Sequence, residues 1–226
     1  DRPAVTLGCG GHTVNGLVRE AVRVFRETSP GVSFRLSQRP AVTRVEGVAN
    51  GSLDLACVRI APQVIQEIAR RTLLIEDLFD DPLVLVAAPA GQQFTEFRDL
   101  CEKNLSPKAL TGFPLLLPEP ASELRREFDR RCREVGIVDR VNIALEANPY
   151  TTLLSYVRDG VGIGLVPESS VHGQTDLYVV SLPSKLATAS IVRVIYRRRA
   201  GKDEPDLSPE AIAFLEALRS VVKKKN

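Results

Sequence analysis

The segment from Ala144 to Ser170, ALEANPYTTLLSYVRDGVGIGLVPESS, constrains the fold more than any other stretch of the chain. It reads as a strand, a polar turn, a short helix carrying Leu153, Leu154 and Val157, a Gly-rich turn, and a buried strand over Gly162–Val166. A helix that opens off one strand's carboxyl end and feeds the next strand is the crossover unit of an open α/β sheet. The N–H groups at such a helix start have no partner in the helix, so these points hold small polar or anionic ligands. The segment therefore points to binding a small molecule rather than to chemistry upon it.

The same unit recurs along the chain. Val5–Cys9 reads as a strand, and Gly10, Gly11, His12 and Thr13 turn it into a helix carrying Val14, Leu17, Val18, Ala21, Val22 and Phe25. Val32–Ser37 alternates, Thr43–Asn50 is helical, and Leu53–Val58 is apolar enough to be covered on both faces. Leu83–Ala88 is another buried strand, and Ile65–Arg70 has no clear pattern. Phe94–Lys103 contains a short helix, Leu115–Leu117 a strand, and Ser122 is placed to cap a helix carrying Leu124, Phe128 and Cys132. Val141, Ile143 and Leu145 alternate in a strand. Strands at Leu177–Leu182 and Ile191–Tyr196 lead to a last helix, with Ser208 as its cap and Pro209 at its first position. That helix is expected to bury Ile212, Leu215, Leu218 and Val222. Strands alternating with helices imply parallel sheets. Two such groups predict an α/β chain of two lobes with a ligand cleft between them, residues 1–88 plus 168–226 forming the first and 89–167 the second.

Composition excludes several classes. With 30 basic and 28 acidic residues the net charge of +2 predicts no strong affinity for nucleic acid. No run of 18 apolar residues marks a membrane span, so no membrane partner is expected. Cys9, Cys57, Cys101 and Cys132 lack metal or disulfide spacing and are expected as buried thiols of a cytoplasmic protein. His12 and His172 are too isolated for a zinc site, and no cofactor is expected. No supported nucleophile–base pair is present, so an enzyme is not expected; His12 and Glu119 are the sole acid–base candidates near the expected cleft. The chain contains no Met, so we expect it to be a processed chain or a domain of something longer.

Ordered motifs carry a resemblance. They are FRETSPGVSFRLS, VANGSLDLACVR, LFDDPLVLVAAP, FPLLLPEPASELRREFDRRCREVGI, EANPYTTLLSYVRDGVGIGLVPES and LSPEAIAFLEAL. In this order they resemble the effector-binding domain of LysR-type transcriptional regulators. The resemblance implies the type II periplasmic-binding-protein fold, two Rossmann-like lobes around a ligand cleft. It also implies a small-molecule effector, a homodimer or homotetramer, and DNA binding only through a winged helix-turn-helix head outside this chain. The first helix (Val14–Thr28) and the helix after Ser122 are the pairing surfaces it implies. A solute-binding protein of a transporter shares the fold and is the alternative.

The resemblance places ligand contacts in four loops: Gly10, Gly11, His12 and Thr13; Gln38 and Arg39; Arg59; and, from the second lobe, Ala121 and Ser122 with Asn148, Pro149 and Thr151. Helix N-termini and two arginines favour a carboxylate, which an arginine grips through two parallel hydrogen bonds. Plainer roles compete at each position: a surface ion pair for Arg59, a backbone hydrogen bond for His12, a cap for Ser122, turn chemistry for Asn148-Pro149. Pro40-Ala41 stands where the family usually offers a hydroxyl, so the effector of the best-known members does not carry over. Gly160, Gly162 and Gly164 are expected to allow close backbone packing, and the Arg197–Arg199 and Lys223–Lys225 runs to be solvated ends.

Overall fold

The computed structural model describes residues 3–10, 13–187 and 190–224. The strands, in chain order, are β1 (Ala4–Gly8), β2 (Ser33–Ser37), β3 (Leu55–Val58), β4 (Leu73–Asp80), β5 (Leu83–Ala87), β6 (Leu115–Leu117), β7 (Ile143–Glu146), β8 (Ile163–Pro167), β9 (Tyr178–Ser181) and β10 (Ile191–Arg197). The helices are α1 (Arg19–Thr28), α2 (Ala41–Ala49), α3 (Pro62–Ala69), α4 (Gln92–Glu102), α5 (Pro107–Leu110), α6 (Glu123–Glu134), α7 (Tyr150–Arg158) and α8 (Pro209–Lys223). A π-helical turn, Val14–Val18, leads into α1. The chain divides into two compact units, residues 1–80 with 191–226, and residues 81–190.

The first unit holds a five-stranded sheet in the order β2-β1-β3-β10-β4. Strands β1, β2 and β3 run parallel, while β10 is antiparallel to both β3 and β4. Each face of the sheet has its own core. On one, α1 and α8 bring Phe25 and Phe214 against Val5, Leu7 and Leu55. The Phe25, Phe34 and Phe214 rings meet edge to face at centroid distances of 5.0 to 5.8 Å, the geometry in which ring quadrupoles attract. On the other face, α2 and α3 bury Val45, Val48 and Ile65 against Ala56, Leu73 and Ile195. Every residue of β3 is buried, as its unbroken apolar run required. Asp54 ties this strand to β1: its carboxylate accepts from the Thr6 N–H and hydroxyl, both at 2.7 Å.

The second unit repeats the plan with the order β7-β6-β8-β5-β9. Strands β6, β7 and β8 are parallel, and β5 is antiparallel to β8 and β9. One face buries Phe97, Phe113 and Phe128, the other Leu153, Leu154 and Val157. The glycines of the Gly-rich turn are sites of close approach. A Cβ on Gly162 would lie 2.4 Å from the Pro114 carbonyl oxygen, and one on Gly164 2.6 Å from Val157. Gly160, by contrast, meets nothing and ends α7 at φ +74°, a conformation glycine adopts without cost.

The structure differs from several expectations. Both sheets are mixed, because β10 in one and β5 and β9 in the other run against their neighbours. Strand β4 was not anticipated; its LLIEDLFD run mixes apolar and acidic residues on a sheet edge. Asp77 pairs there with Arg193 at 2.7 Å and Glu76 with Arg219 at 2.6 Å. The unit boundary falls at 80/81 and 190/191 rather than at 88 and 168. The LVLVA run of β5 is buried on both faces, so its sequence could not say which sheet it joins; its pairing with β8 and β9 decides it. Lastly, Ile212 is 40% exposed and Ala211 and Phe214 take the inward face of α8. The arginine run lies at the surface as expected, and there Arg197, Arg198 and Arg199 pair with Asp206, Asp203 and Glu204.

Candidate functional site

Because β1, β2 and β3 are parallel, their carboxyl ends lie along one edge of the first sheet, where this class of sheet holds ligands. Gly10, Gln38 with Arg39, and Arg59 follow the ends of β1, β2 and β3 within two residues, and Thr13 immediately precedes the π-helical turn. The Cys9 N–H extends the ladder to the Ser37 carbonyl at 3.0 Å. Gly11 and His12 lie outside the described residues. Gln38 and Arg39 are exposed, and Arg59 is partly buried. Helix α2 starts with Pro40 at its cap and no side-chain cap bond, so the hydroxyl missing from the sequence is not replaced.

Two arginines that sequence reasoning missed support this edge. Arg44, in the first turns of α2, is buried at 7% exposure and donates to the Cys57 carbonyl. Arg193 of β10 donates to the Ile60 carbonyl at 3.3 Å and so holds the backbone just past Arg59. Cys9 and Cys57 face the same core. Burial pushes the Cys9 thiol up to about 11 and the Cys57 thiol up to about 12, with Arg44 partly offsetting both shifts. Both are neutral thiols at pH 7, hence poor nucleophiles.

In the second unit the parallel strands β6, β7 and β8 likewise align their carboxyl ends. Ala121 and Ser122 sit between β6 and α6, and Asn148, Pro149 and Thr151 between β7 and α7. Helix dipoles and unpaired first-turn N–H groups of α6 and α7 thus sit at one sheet edge. Ser122 occupies the cap position of α6, yet its hydroxyl makes no cap bond; Pro149 holds the equivalent position of α7, also without a side-chain bond. The Asn148 amide donates to Glu119 at 3.1 Å and so joins the two loops directly. Ala121, Asn148, Pro149 and Thr151 are exposed.

Arg125 fixes this arrangement from below. It is 6% exposed. Its Nη1 donates to the Pro118 carbonyl at 3.0 Å and to Glu146 at 2.5 Å, and its Nε donates to both oxygens of Asp129 at 2.9 and 3.0 Å. One guanidinium from α6 therefore clamps the start of one loop and the strand end before the other. A signal was present: Arg125 and Asp129 stand four apart, one position past the apolar stripe of Leu124, Phe128 and Cys132. Two surface depressions among the described residues lie elsewhere, one of about 650 Å³ along α3 by Arg70 and Arg71 and one of about 470 Å³ where β5 leads into α4. Neither is lined by the strand-end residues named above, and both are open to solvent.

Comparison with known proteins decides the family. Residues 1–223 match the LysR substrate binding domain. The chain belongs to that family. Among curated relatives, the transcriptional dual regulator GltC of Bacillus subtilis (strain 168) is 25% identical over 219 residues, covering 95% of this chain and 66% of that protein. A probable RuBisCO transcriptional regulator of Emiliania huxleyi is 23% identical over 194 residues, covering 84% of this chain and 58% of that protein. This LysR domain thus spans less than two thirds of the relatives it matches. Solved structures share its fold. The effector binding domain of QuiR in complex with shikimate has a TM-score of 0.72 at 17% identity, with 99% of each chain covered. The BenM effector binding domain with its effector benzoate has a TM-score of 0.72 at 17% identity, covering 99% of this chain and 93% of that one. These likenesses bear out the type II periplasmic-binding-like fold.

Proposed function

We propose that this LysR substrate-binding domain senses a small carboxylate-bearing metabolite and governs DNA binding by a head domain carried elsewhere in the full protein. The carrying observation is the edge formed by β1, β2 and β3, where Arg39 and Arg59 stand beyond the ends of β2 and β3, the two parallel strands that flank β1. A guanidinium grips a carboxylate bidentately. The relatives' names support the reading. The curated ones are regulators rather than transporter components, and the effectors named with QuiR and BenM, shikimate and benzoate, both carry a carboxylate. We infer that Gly10, Gly11, His12, Thr13 and Gln38 join the two arginines, and that Ala121, Ser122, Asn148, Pro149 and Thr151 supply the second unit's contacts. The effector acts by binding one state of the regulator better than another, since only differential affinity shifts such an equilibrium. We infer pairing of copies through α1 and α6, and work in a reducing cytoplasm, which suits the four free thiols. No helix among the described residues is long and apolar enough to cross a membrane.

A thermal-shift screen against organic acids tests the reading. A saturable rise in melting temperature is expected, and Arg59→Ala is expected to weaken the responding acid at least tenfold. Binding of neutral compounds alone, with no acid responding, overturns it.

A further inference from the structure

Two buried thiols face each other at the carboxyl ends of β1 and β3. Leu7 pairs with Leu55 and Gly8 with Ala56 across these parallel strands. One step further brings Cys9 opposite Cys57, and the Cys9 N–H, bonded to the Ser37 carbonyl at 3.0 Å, carries the sheet through that position. Side chains alternate between faces along a strand, so Leu7 with Cys9 and Leu55 with Cys57 share one face. All four lie in the same core. Cys9 is 0% and Cys57 1% exposed, and both are free thiols. Their closeness shows in Cys57, whose thiol is pushed up by the neighbouring Cys9 as well as by burial. Neighbouring strands lie about 4.8 Å apart. Sulfurs standing upright on facing positions keep roughly that separation, more than twice a sulfur–sulfur bond of about 2.05 Å. A cation bonded to each sulfur at about 2.3 Å fills the gap in line.

The chemistry of the pair selects the cation. Thiolate sulfur is soft and favours copper(I) over harder ions. Among the described residues no group of three His, Cys, Asp or Glu side chains is placed to hold a metal ion, so the pair offers two ligands where structural zinc takes four. Binding exchanges two thiol protons for one monovalent cation and leaves a single negative charge. A buried charge is tolerated only where it is paired. Arg44 meets that need: its buried guanidinium donates to the Cys57 carbonyl, and its charge favours the thiolate form of both cysteines. We propose that Cys9 and Cys57 form a two-coordinate thiolate site for a soft monovalent cation of the copper(I) kind. An ion there joins the ends of β1 and β3, which lead directly to Gly10 and Arg59. The site stands on the register of the first sheet and is independent of the effector reading above.

Copper(I), supplied anaerobically as its bicinchoninate complex with ascorbate present, tests it. The chelator keeps free copper(I) too low for a single thiol to compete. The chain is expected to take one ion from the chelator, release two protons and show a saturable rise in melting temperature. X-ray absorption at the copper edge is expected to find two sulfur neighbours. Cys9→Ala and Cys57→Ala, each checked for folding by circular dichroism, are expected to lower the affinity about a hundredfold or more, because one ligand of two is gone. Cys101→Ala is expected to change it less than about twofold, since that thiol lies in the other unit. Zinc(II) at the same concentration is not expected to displace the copper. No uptake from the chelator, a shell without two sulfurs, displacement by zinc(II), or an affinity that survives Cys9→Ala overturns the proposal. Should neither alanine variant fold, the sulfur shell and the proton count of the unmodified chain decide it.

Discussion

Burial sets the chemistry of single residues in this fold, and the cysteines show it most directly. Desolvation pushes Cys9 up to about 11, Cys57 to about 12 and Cys132 to about 12, from a usual value of 9.0. A folded-state value above the unfolded one means that the folded chain keeps protons the unfolded chain has lost. The stability held by these neutral thiols is therefore complete below pH 9 and drains away as pH rises toward 11 to 12. The slope approaches about 1.4 kcal/mol per pH unit for each such thiol. We expect the urea midpoint to fall between pH 8.5 and pH 10.5, and to fall less steeply in Cys57→Ala, whose lower starting stability does not affect the comparison of slopes. Equal slopes in the two proteins would show that Cys57 titrates normally. The burial of Cys9, Cys57 and Cys132 was legible in the sequence because the first two sit in apolar runs and the third lies on the apolar face of a helix with Leu124 and Phe128. Arg44 and Arg125 were not legible as buried, because a guanidinium is buried only where partners such as the Cys57 carbonyl or Glu146 are supplied by distant segments.

Secondary-structure elements were legible where one periodicity ruled and obscure where two competed. Helix α8 illustrates both. Its start was plain from Ser208-Pro209, and the Ser208 hydroxyl accepts from the Ala211 N–H at 3.2 Å. Its inward face was shifted, since Ile212 and Phe214 are both apolar and only one can face the sheet. Phe214 wins by meeting Phe25 and Phe34 edge to face, which leaves Ile212 at 40% exposure. Phe214→Ala is accordingly expected to cost about 3–5 kcal/mol through loss of transfer energy and an unfilled cavity. Ile212→Ala is expected to cost under about 1 kcal/mol. Chemical denaturation of the two variants checks this; similar losses would mean that the helix is rotated about its axis. Strand β4 was obscure for a related reason. Glu76 and Asp77 interrupt its apolar alternation because they serve Arg219 and Arg193 across the sheet, a purpose that a local pattern does not reveal. The strand-end loops were better marked: glycines, prolines and cap residues fall at the ends of β1, β2, β6 and β7, where turn chemistry leaves its own signature.

At the scale of the whole chain, the division into units follows from how the strands are shared out. Residues 1–80 lack β10, which sits between β3 and β4 in the first sheet. Cut at residue 80, that segment would leave β3 and β4 without their common neighbour and one face of α1 without the α8 side chains that cover it. The second unit has no such debt. Residues 81–190 are continuous and supply all five strands of their sheet and the buried residues of both its faces. Their two ends already meet: the Asp81 N–H donates to the Ser190 carbonyl at 3.1 Å, while the Asp81 carboxylate takes the Ser169 N–H at 2.8 Å and hydroxyl at 2.6 Å. Excision there exposes no sheet edge that was paired before. We therefore expect a fragment of residues 81–190 to fold alone and unfold cooperatively in urea, and a fragment of residues 1–80 to give no cooperative transition until a segment spanning residues 191–226 is added. Circular dichroism against denaturant separates the outcomes. A fragment of 81–190 that melts without cooperativity would mean that its core depends on the rest of the chain. A cooperative 1–80 alone would mean that β10 is dispensable to the first sheet. The asymmetry matters for the proposed sensor, because it makes the unit bearing Ser122 and Asn148 a module whose proposed contacts can be tested apart from Arg39 and Arg59.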